Sequence, residues 1–177
     1  MPSRVMIPTL TTARLVLEPL GAAHSPGMFA LWSQAAVCLY AGPAVDAAGA
    51  LIPLPAVTPA DSDRILDFFV RRAAIGLGFR WAMLDRTHGR FLGAVGFNHL
   101  SPVAELAYHL HPEAWGQGLM SEAAAAALSW LRATAPGREV EAHIDPQNAG
   151  SIRLAESLGF RATGEGDVYQ RVEHPAR

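Results

Sequence analysis

HPEAWGQGLMSEAAAAAL (His111–Leu128) places a proline, a Trp and two glycines directly ahead of a run of helix-forming residues. The preceding stretch, AELAYHL (Ala104–Leu110), alternates polar and apolar residues as a strand does. The order is therefore strand, glycine-containing turn, helix. A helix N-terminus offers unpaired backbone N–H groups, and glycines let a phosphate approach the main chain. The stretch predicts an anion site, although a tight strand-to-helix turn explains the glycines equally well on spacing alone.

The composition predicts one compact α/β domain over residues 1–177, with half of the residues apolar. A net charge of −2 with scattered arginines indicates neither a nucleic-acid-binding face nor a membrane anchor. No lysine occurs, which excludes a lysine base or Schiff base. The single cysteine, Cys38, cannot form an internal disulfide, and the sequence has no pattern typical of a signal peptide or membrane span. We therefore expect a cytoplasmic protein.

The remaining patterns predict strands on both sides of a few helices, with no internal repeat. Strands are expected at RLVLEPL, in the hairpin FRWAMLD and RFLGAVGFNHL, at AELAYHL and VEAHI, and in a final pair, FRAT and DVYQRV. Helices are expected over 22–33, after the N-cap Thr58, over 118–134 and at AGSIRLAESL, with an irregular loop over 41–57. The fold class is therefore α/β (α+β), with a mixed, mostly antiparallel sheet of six to seven strands flanked by about four helices.

A second motif, NAGSIRLAESLGF (Asn148–Phe160), together with the first, resembles the GNAT superfamily of acyl-CoA transferases. The closer resemblance is to the RimJ/RimL-like branch, which acetylates ribosomal-protein N-termini and carries YWLHPEYWGKGYATEA and NxxSxRxxExLGF patterns in this order. The opening LTTARLVLEPL (Leu10–Leu20) is similar to that branch's LxTERLxLRPL. The resemblance runs along the whole chain, is weakest over residues 34–60, and implies the GNAT fold.

The resemblance implies acetyl-CoA as the co-substrate. Its pyrophosphate would lie on the backbone amides of the turn, and its pantetheine arm would bind the main chain of the preceding strand. The N–H of Leu110 would stabilise the tetrahedral oxyanion. Asn148 and Ser151 match the branch's N-x-x-S, beside the pantetheine and thiol, and Asn148 is also a candidate N-cap. The cofactor-binding residues implied are Tyr108, His109, Leu110, Gly116, Gln117, Gly118, Leu119, Met120, Ser121, Asn148 and Ser151.

Two residues depart from the family's pattern. Met120 replaces a small residue of the turn, so its side chain either narrows the phosphate site or points into the core, which is the expectation because binding there uses the backbone. Ala155 stands where many superfamily members carry the tyrosine that protonates the leaving thiolate. Ser151 is the substitute that the closer branch implies, unless the thiolate leaves unassisted or takes its proton from water.

Acetylation of an amine needs a base that removes a proton from the ammonium group. Strand alternation places Glu105 and His109 on one face of the fourth strand, and Glu141 and His143 on one face of the fifth. Glu105 is the first candidate because the branch commonly carries a glutamate there, His143 is the second, and Glu141 is the third. For each of them a solvated position on the sheet is the alternative. The H-x-H pair of His109 and His111 lacks the further ligands of a zinc site, so no metal is expected.

These observations predict an acetyl-CoA-dependent N-acetyltransferase that acetylates a primary amine by direct attack in a ternary complex. The acceptor is a protein N-terminal α-amine or a small-molecule amine. The loop around 34–60 carries a single acidic residue, Asp46, which disfavours polycationic acceptors. Whether the chain forms a homodimer stays open. The alternative is a catalytically weak acyl-CoA-binding sensor or interaction module, for which Met120 and Ala155 are the only support.

Overall fold

The computed structural model describes residues 6–172, and the ends of the domain expected over 1–177 lie outside that range. Its strands are β1 (Leu10–Thr11), β2 (Leu15–Pro19), β3 (Ala44–Val45), β4 (Leu51–Ile52), β5 (Phe79–Asp85), β6 (Phe91–Phe97), β7 (Ala104–Leu110), β8 (Val140–His143), β9 (Phe160–Ala162) and β10 (Val168–Arg171). Its α-helices are α1 (Ser25–Trp32), α2 (Ala35–Cys38), α3 (Pro59–Ala74), α4 (Leu119–Thr134) and α5 (Ala149–Ser157). Short 3-10 turns precede α1 and α4.

Eight strands form one sheet in the order β1-β2-β5-β6-β7-β8-β10-β9, while β3 and β4 form a separate ribbon. The pairings are antiparallel except for that between β7 and β8, which is parallel. This sheet confirms the predicted mixed, mostly antiparallel fold. It has more strands than the six to seven expected because Leu10 and Thr11 fold back onto β2 as a short edge strand.

The stretch over 41–57, expected to be irregular, contains the β3–β4 ribbon, and the single-turn helix α2 precedes it. Asp46 organises the ribbon, because its Oδ1 accepts the N–H groups of Ala48 and Ala50 at 2.9 Å each. Its other oxygen pairs with Arg64 of α3 at 2.7 Å. The ribbon is therefore fixed by a local turn and by one long-range ion pair. Neither interaction can be predicted from the alternation of polar and apolar residues.

The helix boundaries largely agree with the sequence signals. Thr58 precedes α3, and its N–H donates to Asp61 Oδ2 at 2.9 Å, which caps the helix start. Gly118 precedes α4 in the left-handed region, with a φ of 74°. Asn148 caps α5, since its Oδ1 accepts the N–H of Ser151 at 3.2 Å.

The sheet separates two apolar cores. In the main core, Trp130 of α4 packs edge-on against Phe79 and Trp81 of β5, with ring centroids 5.3 Å apart in both pairs. The smaller core joins Leu31 of α1 to Ile65 of α3 and to the β3–β4 ribbon. Helices α4 and α5 thus cover one face of the sheet, and α1 and α3 cover the other.

Leu17 and Leu51 allow one substitution to be compared in opposite environments, since Leu17 is fully buried in the main core and Leu51 is 72% exposed. Leu17→Ala should lower the free energy of unfolding by about 2–5 kcal/mol, because it removes buried methyl groups and leaves a cavity. Leu51→Ala should change it by less than about 0.5 kcal/mol. Urea unfolding followed by circular dichroism measures both, and equal losses would contradict the burial described.

Candidate functional site

The candidate site begins where β7 and β8 stop pairing. Their parallel register comprises two residue pairs, Ala104 with Val140 and Glu105 with Glu141, although β7 continues to Leu110. On its other edge β7 stays paired with β6 up to its end. The edge of β7 that faces β8 therefore has no partner strand beyond Glu105 in the described part of the chain. We call this stretch the open edge of β7.

Backbone alternation decides which N–H groups reach the open edge. The N–H of Ala104 donates to the chain just ahead of β8 at 2.9 Å, whereas that of His111 donates to a carbonyl of β6 at 2.8 Å. Because successive N–H groups point to opposite edges, those of Tyr108 and Leu110 face the open edge. That of His109 faces β6. The main-chain contribution expected of His109 therefore does not fit its placement, whereas that of Tyr108 and Leu110 does.

The turn after β7 carries a second set of unpaired N–H groups. Gly116 and Gly118 have φ values of 73° and 74°, which favour glycine. The first backbone hydrogen bond of α4 runs from the N–H of Glu122 to the Gly118 carbonyl at 3.1 Å. The N–H groups of residues 119–121 have no hydrogen-bond partner among residues 6–172. They point out of the helix start, and this geometry suits an anion.

The side chain of Met120 lies in the main core, where it is 6% exposed. The expectation that it points away from the turn is therefore confirmed. Trp115 joins the turn to β7, because its Nε1 donates to the Leu110 carbonyl at 2.8 Å. The side chain of Gln117 donates to the Glu113 carbonyl at 3.2 Å. What the turn presents outward is therefore its backbone.

Arg14, which directly precedes β2, holds the turn in place through its guanidinium group. Its Nη1 donates to the Gln117 carbonyl at 2.8 Å, and its Nε pairs with Glu122 Oε2 at 2.8 Å. Thr12 donates its hydroxyl to Glu122 Oε1 at 2.6 Å. Burial raises the pKa of Glu122, but the hydrogen bonds from Thr12 and Arg14 lower it overall. Arg14 and Glu122 each lie in a motif identified from the sequence, but the sequence does not show that the two motifs are in contact.

The start of α5 lies against β7 on the α4 side of the sheet. The hydroxyl of Tyr108 is 2.7 Å from Ser151 Oγ and donates to the Ser151 carbonyl at 3.3 Å. Burial raises the pKa of Tyr108, and the hydrogen bond to Ser151 opposes that effect. Ala155, one turn further along α5, is 1% exposed and packs in the main core. The open edge is thus bordered by two hydroxyl groups in contact.

The three candidate bases come together on the opposite face. Glu105 and Glu141 are register partners on β7 and β8. His143 Nε2 lies 3.1 Å from Glu141 Oε1, and its Nδ1 lies 3.3 Å from Asp167 Oδ1. Burial lowers the pKa of His143, but the hydrogen bond with Glu141 and the charges of Glu105 and Asp167 raise it overall. Asp167 was not expected in this cluster, because it comes from the turn before β10.

Glu105 also belongs to a polar network that the sequence did not reveal. Its Oε1 accepts from Asn98 Nδ2 at 2.7 Å, and its Oε2 lies 3.3 Å from His99 Nδ1. Asn98 Oδ1 accepts from the guanidinium of Arg80, a side chain that is 4% exposed. Burial lowers the pKa of Arg80 to about 10, so it stays charged. The only sign of this network in the sequence is the polar pair Asn98 and His99 at the end of an apolar strand.

His109 lies on the same face as Glu105, with its ring 4.5 Å from that of Trp32 in α1. Burial, followed by the charge of Arg80, lowers the pKa of His109 to about 3. The ring is therefore neutral near pH 7. It marks where α1 meets the face of the sheet that carries Glu105.

No group of three or more His, Cys, Asp or Glu side chains within residues 6–172 is arranged to hold a metal ion. No helix in the described range is both long and apolar enough to cross a membrane.

Comparison with known proteins identifies the family. The chain matches the acetyltransferase (GNAT) domain over residues 14–161, so it belongs to the GNAT family and is an acetyltransferase. It is 26% identical over 168 residues to an uncharacterized N-acetyltransferase, p20, of Bacillus licheniformis, across 93% of this chain and 89% of that protein. It is also 26% identical over 162 residues to an uncharacterized N-acetyltransferase, YoaA, of Bacillus subtilis, across 90% and 86%.

Solved structures share the fold. An acetyltransferase from Agrobacterium tumefaciens aligns with a TM-score of 0.73 at 24% identity, over 96% of both chains. RimL, a ribosomal L7/L12 α-N-protein acetyltransferase determined in complex with coenzyme A, aligns with a TM-score of 0.76 at 17% identity, over 93% of this chain and 98% of that one. Ribosomal-protein-S5-alanine acetyltransferase from Vibrio fischeri aligns with a TM-score of 0.70 at 16% identity, over 93% and 94%.

The contacts of His143 predict a measurable pH dependence. Its pKa should lie above the ordinary 6.5, and Glu141→Gln should lower it, because an amide oxygen accepts the ring N–H without the negative charge that favours the protonated ring. Because the folded pKa is the higher one, the protonated ring stabilises the fold below pH 6.5, and that contribution is lost as the pH rises through the folded pKa. A titration of the ring followed by NMR tests this, with Asp67→Asn on α3 as the control. A pKa at or below 6.5 in the wild type would contradict the placement.

Proposed function

We propose that the protein is an acetyl-CoA-dependent N-acetyltransferase that acetylates a primary amine by direct attack within a ternary complex. The observation that carries the proposal is the open edge of β7, which leads into a turn with unpaired backbone N–H groups. An extended chain ending in a pyrophosphate matches this sequence of donors, because a strand edge binds an extended arm and a helix start binds phosphate.

Coenzyme binding in this proposal is mainly a backbone function. The pyrophosphate lies on the amides around Gly116, Gln117, Gly118, Leu119, Met120 and Ser121, and the N–H groups of Tyr108 and Leu110 bind the pantetheine arm. Asn148 contributes by capping α5 where the arm passes. The determination of RimL with coenzyme A supports the assignment, because that protein shares the fold.

The oxyanion donor is better assigned to the N–H of Tyr108 than to that of Leu110. Leu110 lies about 16 Å along β7 from Glu105 at a rise of roughly 3.3 Å per residue, whereas Tyr108 lies about 10 Å away. A donor to the oxyanion must be near the attacking amine and therefore near the base. Leu110, next to the turn, is placed for the phosphate end of the arm.

Glu105 is the proposed base. Its side chain is 17% exposed, compared with 26% for Glu141 and 39% for His143, so it is the most enclosed of the three. The raised pKa of His143 leaves less of its ring in the unprotonated form that a base requires. Glu141 is engaged with that ring at 3.1 Å. Glu141 and Asp167 then supply negative charge that attracts the ammonium form of the acceptor.

Ser151 is the proposed proton donor to the leaving thiolate. It lies at the start of α5, in contact with the Tyr108 hydroxyl at 2.7 Å, on the opposite side of the sheet from Glu105. The removal of a proton from the amine and the delivery of a separate proton to sulfur thus fall on different faces, with the thioester between them. Ala155 does not supply this proton, and the pair of hydroxyls compensates for the missing tyrosine.

The proposed acceptor is a peptide N-terminus or a small, partly apolar amine. Helices α1 and α2 and the β3–β4 ribbon border the acceptor side, where Leu39, Leu51 and Val57 are 68%, 72% and 75% exposed. The ribosomal-protein acetyltransferases among the structural neighbours favour the peptide, in line with a RimJ/RimL-like assignment. A need for acetyl-CoA and the unpaired Cys38 favour the cytoplasm. The alternative of a catalytically weak sensor loses one support, because Met120 is buried in the core.

Calorimetric titration with acetyl-CoA tests the coenzyme site. The wild type should bind in the micromolar range, and Gly118→Glu should abolish measurable binding by placing an anion where the phosphate lies. Gly164→Glu is the matched control, since Gly164 is also at positive φ, has no atom within 4 Å of an added Cβ, and lies far along the chain from the turn. Failure of the wild type to bind acetyl-CoA would contradict the coenzyme assignment.

The same proteins then test catalysis through the release of free thiol. The probes are tetrapeptides with a free N-terminus that vary in the first residue, with spermidine as a polycationic comparison. Glu105→Gln and Ser151→Ala should each slow transfer to the best tetrapeptide about 100-fold while acetyl-CoA still binds, since each removes a proton-transfer group. Unchanged turnover in both variants would refute these roles. Binding without turnover in the wild type would favour the sensor.

A further inference from the structure

We propose that His99 carries the acceptor's proton from Glu105 to solvent, and that Asn98 is the positioning residue that holds the Glu105 carboxylate for this transfer. The inference rests on the proposed function, in which Glu105 is the base. It concerns what happens to the proton after the carboxylate has taken it. No feature of the motifs in the sequence points to either residue.

Asn98 is fixed by four hydrogen bonds. Its N–H donates to the Glu105 carbonyl at 2.9 Å, and its Nδ2 donates to Glu105 Oε1 at 2.7 Å. Its carbonyl accepts from Arg72 Nη2 at 2.7 Å, and its Oδ1 accepts from Arg80. An amide bound at both ends has one orientation, with the oxygen toward arginine and the nitrogen toward the carboxylate. Asn98 therefore fixes the position of Oε1.

Arg80 holds the Asn98 amide in this orientation. It is 4% exposed, its Nη1 donates to the Phe79 carbonyl at 3.1 Å, and its guanidinium lies over the Phe69 ring at 4.4 Å. A side chain held by packing on α3 and by two hydrogen bonds has little freedom to turn. The chain of contacts from α3 to Glu105 is thus rigid up to the carboxylate.

The carboxylate has capacity left for the reaction. Each carboxylate oxygen can accept two hydrogen bonds. In the structure Glu105 Oε1 accepts from Asn98, and Oε2 faces His99. One acceptor position on each oxygen is left for an incoming ammonium group. Glu105 can therefore take a proton from the acceptor without first releasing either neighbour.

His99 is placed to carry the proton from Glu105 to solvent. Its Nδ1 lies 3.3 Å from Glu105 Oε2, and its ring is 37% exposed, compared with 17% for the Glu105 side chain. The carbonyl of His99 also accepts the N–H of Glu105 at 3.0 Å, so backbone and side chain hold the same pair together. Its Nε2 has no hydrogen-bond partner within the described residues. The ring therefore connects a half-buried carboxylate with solvent.

His143, which lies on the same face, is less suited to the role. Both ring nitrogens of His143 face carboxylates, Nε2 toward Glu141 and Nδ1 toward Asp167. A ring engaged at both nitrogens has no free position for passing a proton to water. His99 is engaged at one nitrogen only, as a relay requires.

The proton balance is complete within the proposed reaction. The ammonium group gives one proton to Glu105, and the resulting neutral amine attacks the thioester carbonyl. Glu105 passes that proton to the unprotonated Nδ1 of His99, and Nε2 releases its own proton to water or buffer. Exchange with solvent then restores the starting tautomer. The thiolate, after the C–S bond breaks, takes a separate proton on the Ser151 side.

Three variants separate a proton relay from a structural contact. His99→Ala removes the ring, whereas His99→Gln keeps an amide N–H that can bond to Glu105 but cannot carry a proton. His88→Ala, at an exposed histidine of the β5–β6 turn, is the control. Turnover of the best tetrapeptide is measured for each variant, with and without added imidazole. Acetyl-CoA affinity is measured beside it.

We expect both His99 variants to lose about tenfold or more in kcat with unchanged acetyl-CoA affinity. This is less than the roughly 100-fold or more that a group acting on the substrate itself contributes, because His99 acts after Glu105 has taken the proton. Imidazole should restore His99→Ala in proportion to its concentration and leave His99→Gln and the control unchanged. Full activity of His99→Gln, or no effect of imidazole on His99→Ala, would overturn the relay.

A second measurement does not depend on turnover. The 15N resonance of His99 Nδ1 should move in Glu105→Gln, because its partner oxygen is altered, and should stay in place in Asp67→Asn. An unmoved resonance in Glu105→Gln would overturn the contact itself. A wild type that acetylates none of the probes defeats the proposed function instead, so the two failures are distinguished.

Discussion

The candidate site depends on one feature of the sheet: the parallel pairing of β7 and β8 ends after two residue pairs. A strand edge inside a sheet normally has its N–H and C=O groups satisfied, and leaving them unpaired is costly unless water or a ligand takes them. Among residues 6–172, no strand pairs with this edge from beyond Glu105 to Leu110. The antiparallel pairing with β6 holds the other edge of the same strand rigid. The result is a fixed row of donors within the fold.

The elements around this edge place the proposed catalytic groups on opposite faces. On the α4 side, Tyr108 contacts Ser151 at the start of α5, and Arg14 holds the turn that precedes α4. On the α1 side, Glu105 is held by Asn98. The alternation of side chains along a single strand therefore separates the proposed base from the proposed proton donor. Met120 is tolerated because the turn presents its backbone outward and the Met120 side chain is buried in the main core.

Much of the fold and part of the site could be predicted from local patterns. The strand, turn and helix from Ala104 onward, the capped starts of α3 and α5, and the shared face of Glu105 and His109 depend on residues close in sequence. The three motifs together also indicated the family. The edge strand β1, the short helix α2 and the two strands of the β3–β4 ribbon were missed, because each is too brief to show a period.

The long-range contacts could not be predicted. The pairing of Arg14 with Glu122, and the network from Arg80 through Asn98 to Glu105, join residues that meet only once the sheet has formed. His109 shows the limit of a resemblance, because only hydrogen-bond alternation decides that its N–H faces β6. Distance from Glu105 along β7 moves the proposed oxyanion donor from Leu110 to Tyr108, because both N–H groups face the open edge. Such assignments need the register of the sheet, which is a tertiary property.

The most direct measurement of the central claim is residue-resolved amide hydrogen exchange with and without acetyl-CoA. In the free protein, the amides of Ala107 and His109 should be protected by β6, while those of Tyr108, Leu110 and residues 119–121 exchange quickly. Acetyl-CoA should slow exchange at this second set and leave the first unchanged. Equal protection of all β7 amides in the free protein would show that the edge is closed. Protection by acetyl-CoA elsewhere, with Tyr108, Leu110 and the turn unchanged, would contradict the account.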